Sequence, residues 1–404
     1  MKNIWILNHY ANANSGRHYN FARLLTQRRY SVKVFAASTS HSTGRNRIIG
    51  SKRYVVDDQN DFPCVYVRTR DYSGNGRARV GSMIDYARRL MSVVQNFDEL
   101  KPDVVYASSV HPLTWLSGYF LAKRYGARFV AETRDLWPQT LIAMGRMSSG
   151  SVPARTLYWL ERFIYKKADR LVFTFPGGID YVENLGIDTS KVAYINNGVD
   201  VEEFNRNKER YVFQDADLDD PSTFKVIYAG SMGQANALRY VIEAAEVVQS
   251  QGFSEVKFLL FGDGYQRREL EDYAKQKELT NIIFKNRVEE KYVPSILSRA
   301  HLNVITGQHT SLYKYGLSPN KMFEYFASGK PTVSNIECGY DILKKYNCGI
   351  TVQGGSADAL AKGILDFYSM PKERYNYFGE NALVAAQDFD FKVLVDKLET
   401  VLLK

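Results

Sequence analysis

Cysteine is scarce in this chain: its 404 residues hold three, Cys64, Cys338 and Cys348. Their spacing offers neither the paired grouping of a structural zinc site nor the framework of a disulfide-stapled domain, which points to a reducing cytoplasm. Long apolar runs are also missing. No stretch approaches a membrane span. The opening MKNIWILNHYANANSG has too short an apolar segment for a signal peptide and reads instead as a buried first strand. There is no short-period repeat, no low-complexity tract and no evident signature of an RNA- or DNA-binding module. What remains is a 45% hydrophobic chain. It is long for one core, so two domains of roughly 200 residues are expected.

The formal charge of +9 is unevenly placed, with ten Lys and Arg crowded between Arg45 and Arg89. Anionic lipid headgroups or a phosphorylated acceptor suit such a patch, and a solvated loop with no partner suits it equally well. No nucleic-acid partner is expected.

Short apolar runs with helical segments between them set the organisation. NIWILNHY, VKVFAAS, CVYVRTR, DVVYASS, RFVAETRD, RLVFTFP and VAYINNGV read as strands of a covered parallel sheet, and FKVIYAGS, VKFLLFGDG, NIIFKN, LNVITG and PTVSNI restart the rhythm. Two doubly wound (Rossmann-like) α/β units in tandem are therefore predicted, spanning residues 1–205 and 206–388. The charged stretch Asn205 to Thr223 reads as a linker, and 389–404 as a terminal amphipathic helix.

In open α/β sheets ligands sit at the carboxyl ends of strands. Gly16, opening a helix at Arg17 and His18, is one such place, and alone it is a weak phosphate signal. Arg134 and Asp135 follow the RFVAE run. Asp135 serves there either as a turn cap or in a catalytic or orienting role. His111, after another strand, is either a turn histidine or an acceptor-side base. Gly230 with Ser231, and Gly262 one unit later, occupy strand-to-helix turns where backbone can meet a nucleotide. The Asp215/Asp217 pair has a metal-like spacing, but it follows no strand and reads as a solvated acidic stretch.

In GLSPNKMFEYFASGKP, Ser318 is a good N-cap, Pro319 suits the first helical position, and Gly329 with Pro331 ends a helix of about ten residues. Asn320, Lys321 and Glu324 then form a polar stripe at a positive helix end, fitted to an anionic ligand that also carries hydroxyls. A nucleoside diphosphate has that chemistry.

These landmarks resemble the retaining nucleotide-sugar glycosyltransferases of the GT-B fold, family 4, especially bacterial surface-polysaccharide members. They are SGRHY at 15–19, ETRDLWP at 132–138, NNGVD at 196–200, GSMG at 230–233, FGDG at 261–264 and PNKMFEYFASGKP at 319–331. The resemblance implies an N-terminal acceptor domain, a C-terminal donor domain, a cleft between them and a terminal helix crossing back to the first domain. It implies that Glu324 binds the ribose, that Ser318, Pro319, Asn320 and Lys321 meet the diphosphate or donor sugar, and that Gly16 approaches the diphosphate. Arg287 and Val288 are placed beside the base, and Arg134 and Asp135 stand where many relatives carry a His-Asp pair. Gly316 replaces the first of two glutamates common in the family, and Ser231 and Ala237 replace an arginine and a lysine. The cation for the leaving diphosphate is therefore sought first in Lys321, then in Arg17, then in Arg239.

The expected activity is transfer of a hexosyl or N-acetylhexosaminyl group with retention, without a metal or other cofactor. The donor is a nucleoside diphosphate sugar, UDP-sugar foremost, and the acceptor a glycan or polyprenyl-diphosphate-linked hydroxyl in polysaccharide biosynthesis of the O-antigen or capsule kind. The setting is cytoplasmic, or peripheral on an anionic inner membrane face, with Trp159 and Phe163 either docking there or buried as core. The competing functions are a GT-B-fold sugar-nucleotide epimerase and a non-catalytic nucleotide- or nucleic-acid-binding protein.

Overall fold

Strands that are apolar along their whole length need cover on both faces, and the alternation along the first one shows how it is met. Ile4 and Ile6 join one cluster with Phe21, Leu394 and Leu398. Trp5 turns the other way, against Phe35 and Tyr125. The computed structural model describes residues 1–403 apart from 41–43, 75 and 110. Val110, inside the stretch that carries His111, and Lys404, at the end of the expected terminal helix, lie outside the described residues.

The chain divides into two units: residues 1–196 with the stretch from Phe391, and residues 197–390. In the first unit the described strands are β1 Asn3–Leu7, β2 Ser31–Ala37, β3 Tyr54–Asp57, β4 Cys64–Val67, β5 Val104–Ser109, β6 Arg128–Thr133, β7 Arg170–Phe173 and β8 Val192–Tyr194. They lie in the order β3-β4-β2-β1-β5-β6-β7-β8. Ile4 pairs with Val32 on one side and Val104 on the other, so the strand order reverses at β1. Helices Arg17–Gln27 and Phe391–Leu403 cover one face. Helices Arg77–Val93, Pro112–Tyr125 and Val152–Lys167 pack side by side over the other. A Cβ on Gly118 would lie 2.6 Å from the Ala107 Cβ, so glycine is what lets the Pro112–Tyr125 helix sit so close to β5.

The second unit holds β9 Phe224–Ala229, β10 Val256–Phe261, β11 Ile282–Lys285, β12 Leu302–Ile305, β13 Thr332–Ser334 and β14 Gly349–Thr351, all parallel, in the order β11-β10-β9-β12-β13-β14. Here the order reverses at β9. Ligands of open α/β sheets bind at such switch points, which directs attention to the chain just after β1 and just after β9.

Several expectations need correction. β3 and β14 were not anticipated from the sequence, and β3 runs antiparallel to β4 at the sheet edge. Both are short, and β3 is only half-buried, so neither carries a long apolar run. The division falls after Asn196, not at 205, which lies inside the helix Val201–Arg210. Phe389 belongs to the core of the second unit, and the terminal helix begins at Phe391. The supposed linker is ordered: Asp215 caps a short helix by accepting from Asp217 and Leu218 N–H, and Lys285 is ion-paired with both Asp215 and Asp217. The basic segment is partly spent on its own structure. Arg70 pairs with Asp85, Arg68 donates to the carbonyl of Lys52, and Arg89 donates to that of Arg68.

Candidate functional site

In the second unit the site is built on two glycine turns and one helix start. Gly230 directly follows β9 and Gly262 directly follows β10, and the turns they open are bonded to each other. Gly230 N–H donates to Phe261 O, and Met232 N–H to Asp263 O, both at 2.9 Å. A Cβ on Gly262 would lie 1.8 Å from the Gly230 carbonyl oxygen, and one on Gly264 2.4 Å from that of Met232. Glycine at these two positions is thus demanded by contact between loops. That is a structural need beside the nucleotide-facing one expected for Gly262.

A Cβ on Gly230 would sit 3.0 Å from Lys321 Cε and Nζ. The bare backbone leaves room for the ammonium, which donates to Tyr228 Oη at 2.7 Å and to Asn236 Oδ1 at 2.8 Å and lies 4.1 Å from the centroid of the Tyr228 ring. Asn236 is held in turn, donating to the Ser231 carbonyl and accepting at its own carbonyl from Thr306. Lys321 therefore lies across the turn that runs from Gly230 to Asn236. Its partners are neutral acceptors, so its charge is not neutralised by an ion pair. Desolvation pulls the ammonium down to about 7, Glu324 opposing.

Lys321 and Glu324 belong to the helix Asn320–Ala327, whose Met322, Phe323, Tyr325 and Phe326 are buried in the core. No side chain caps its start, so the first N–H groups there are open to an anion. Ser318 is not the N-cap. Its hydroxyl accepts from Asn197 N–H and its carbonyl from the Asn197 side chain, so Pro319 takes the cap position and the helix is eight residues long. Glu324 is half-buried, and its carboxylate makes no hydrogen bond or ion pair with the described residues. Burial pushes its carboxyl up to about 7, with Glu290 adding and Lys321 opposing. Arg287 is exposed and Val288 half-buried on the stretch after β11.

In the first unit, Gly16 precedes the helix Arg17–Gln27 with φ +88° and nothing within 4 Å of where a Cβ would stand. Arg17 is not available to a diphosphate. It is 5% exposed, donates to Glu132 at 2.8 Å and to Ile195 O at 2.8 Å, and also bonds Asn196 O. His18 Nε2 lies 2.8 Å from the other Glu132 oxygen, and Tyr106 bonds the carboxylate as well. Burial alone would raise the Glu132 carboxyl; Arg17 and His18 overcome it and hold the group well below the usual carboxylate range. This network ties the helix start to β6 and to the end of β8. It was not anticipated, although a glutamate inside the apolar run RFVAE already demands buried partners. Arg239 is likewise committed, ion-paired to Glu243 and stacked on Tyr273.

Arg134 and Asp135, at the carboxyl end of β6, keep their side chains free of hydrogen bonds and ion pairs among the described residues, so no capping bond from Asp135 is formed there, and desolvation raises its carboxyl, Arg134 opposing. His111 is 1% exposed and edge-on to His9 at 4.9 Å, with no hydrogen-bond partner for either ring nitrogen among the described residues. Burial, with Arg79 adding, draws it down to about 3. That position suits a packed turn histidine better than a base facing an acceptor.

Residues 17–198 match the glycosyl transferase 4-like domain, and residues 223–370 the domain described as glycosyl transferases group 1. The putative colanic acid biosynthesis glycosyl transferase WcaI of Escherichia coli K12 is 23% identical over 262 residues, which cover 62% of this chain and 63% of that protein. The match thus spans under two thirds of this relative. Sucrose-phosphate synthase from Thermosynechococcus elongatus superposes with a TM-score of 0.74 at 15% identity, covering 99% of this chain and 98% of that one. Anabaena Alr3699/HepE in complex with UDP and glucose gives 0.68 at 14% identity, covering 100% and 99%. The fold is GT-B.

Proposed function

With both domains of the GT-B glycosyltransferases in one chain, we propose that this protein transfers a hexosyl or N-acetylhexosaminyl group from a nucleoside diphosphate sugar to a hydroxyl, with retention at the anomeric carbon. The observation that carries the proposal is the start of the Asn320–Ala327 helix: open N–H groups, an ammonium held by neutral acceptors, and one turn on a carboxylate with no partner. Diphosphate and ribose hydroxyls are the chemistry that such a pair complements.

Lys321 and the helix N-terminus stabilise the charge that grows on the departing diphosphate, and that diphosphate takes the acceptor proton on the same face as it leaves. No metal is called for. Arg134 and Asp135, without hydrogen bonds or ion pairs among the described residues of the first unit, are kept as the catalytic candidates that the resemblance implies. UDP is favoured as the leaving nucleotide because a protein of this fold holds it. An acceptor in surface-polysaccharide biosynthesis is favoured by the colanic acid relative. A polyprenyl-diphosphate-linked acceptor brings the protein to the inner face of the cytoplasmic membrane. Among the described residues no helix is long and apolar enough to cross one.

A thermal-shift panel of UDP, GDP, ADP and CMP against the native chain and Glu324→Ala tests the donor site. One nucleotide at a hundred times its dissociation constant should stabilise the native chain by about 2.7 kcal/mol and leave the variant unmoved. No shift with any nucleotide would reject the proposal. Nucleotide release without acceptor would point to an epimerase.

A further inference from the structure

The helices Arg77–Val93, Pro112–Tyr125 and Val152–Lys167 lie side by side on one face of the first sheet, and their outward residues are of an unusual kind. Trp159 is 65% exposed and stacks on Phe163 at 5.5 Å. Tyr119, on the neighbouring helix, meets Phe163 at 5.2 Å and Phe120 at 5.4 Å, and Phe120 is itself 49% exposed. On the third helix Val80 and Ile84, one turn apart, are 52% and 43% exposed. The ring contacts thus carry exposed apolar surface across two of the helices, and the third adds Val80 and Ile84 beside them in the same layer.

The charge on the same helices has one sign. Together they carry ten Lys and Arg against two carboxylates. Neither carboxylate offsets the surface: Asp85 is paired with Arg70, and Glu161 is fully buried against Tyr181. Arg155, Arg162 and Lys166 are exposed on the helix that presents Trp159, as are Lys123 and Arg88 on the other two.

We propose that the outer face of these three helices docks the protein on an anionic phospholipid surface, with Trp159, Phe120 and Ile84 entering the headgroup boundary and the surrounding cations meeting lipid phosphates. Basic residues interspersed with exposed aromatic and aliphatic ones are what an anionic interface complements. A nucleic acid would use the cations but gain nothing from Val80 or Ile84. A second copy of the same face would bring like charges together. The choice of occupant rests on the lipid-linked acceptor proposed above. The docking face is this three-helix layer rather than the Arg45–Arg89 segment as a whole, where several arginines are already engaged.

The experiment is co-sedimentation of the full chain with vesicles of phosphatidylcholine alone or mixed with phosphatidylglycerol, alongside tryptophan emission. Of the four tryptophans, Trp5 and Trp115 are buried and Trp137 is half-buried, so a blue shift on vesicle binding reports Trp159. Binding is expected only with phosphatidylglycerol present. Trp159→Ala should weaken it roughly tenfold and abolish the blue shift. Arg155→Gln and Arg162→Gln should each weaken it about fivefold. Absence of binding to phosphatidylglycerol vesicles, or variants that bind unchanged, would overturn the proposal. So would a dimer in sedimentation velocity that Trp159→Ala dissociates, or RNA binding that these substitutions abolish while vesicle binding persists. Nucleotide stabilisation separates the two proposals: intact in a chain that ignores vesicles, it rejects docking alone; absent in a chain that binds them, it rejects the donor site alone.

Discussion

Nucleotide binding should move protons, in a direction that changes sign near neutrality. Lys321 and Glu324 are displaced toward each other, each to about 7, chiefly by burial. A bound diphosphate restores the ammonium and ribose hydroxyls favour the carboxylate, so binding raises the first pKa and lowers the second. At pH 8 Lys321 is mostly neutral and Glu324 mostly ionised before binding, so the complex takes up roughly 0.8 of a proton. At pH 6 Glu324 is the group out of its bound state and protons are released instead, the terminal phosphate of UDP, which titrates near that pH, adding to the release. Titration calorimetry of UDP at pH 8 in Tris and in HEPES reads this directly, because the apparent enthalpy differs by the proton number times the difference in buffer ionisation enthalpies. Lys321→Gln should remove the uptake and weaken UDP by about 1.5–3 kcal/mol, the range for a hydrogen bond to a charged group. Identical enthalpies in the two buffers, or an uptake that survives Lys321→Gln, would refute the assignment of Lys321 to the diphosphate.

Two further outcomes concern stability. Glu132→Gln leaves Arg17 charged and buried without its counter-ion and should cost about 3–5 kcal/mol in urea unfolding; a loss below about 1 kcal/mol would mean that the network does not hold the helix start. Glu161 is raised to about 8 by burial, so the folded chain keeps a proton that the unfolded chain releases near 4.5, and stability falls as pH rises between those values. Glu161→Gln should therefore raise the melting temperature at pH 8 and change it little at pH 4, and an equal shift at both would contradict this.

The tandem α/β architecture was legible because twelve of its strands are apolar runs of a kind that few other environments tolerate. β3 and β14 escaped because an edge position or a very short span leaves little pattern. The helix that carries Lys321 and Glu324 was legible from Pro319, Gly329 and its polar stripe, but the role of Ser318 was not. A serine before a proline looks the same whether it caps a helix or holds Asn197 some 120 positions away. Arg17 was misread for a related reason: next to a glycine turn a cation suggests phosphate, and only the fold shows that Glu132 claims it. The linker reading of 205–223 failed because its charges are paired with Lys285 and Arg299, partners far along the chain.

The return of the chain at Phe391 has a consequence for synthesis. The second unit is one continuous stretch, residues 197–390, and every residue it needs has been made before Phe391 is added. The first unit must wait, because Phe391, Leu394, Val395, Leu398 and Leu402 fill its core against the helix that begins at Arg17. Although its strands emerge first, its hydrophobic face stays open until the Phe391–Leu403 helix has emerged. Removal of the Phe391–Leu403 helix would therefore injure the first unit, far away in the chain, and leave the core of the second unit complete.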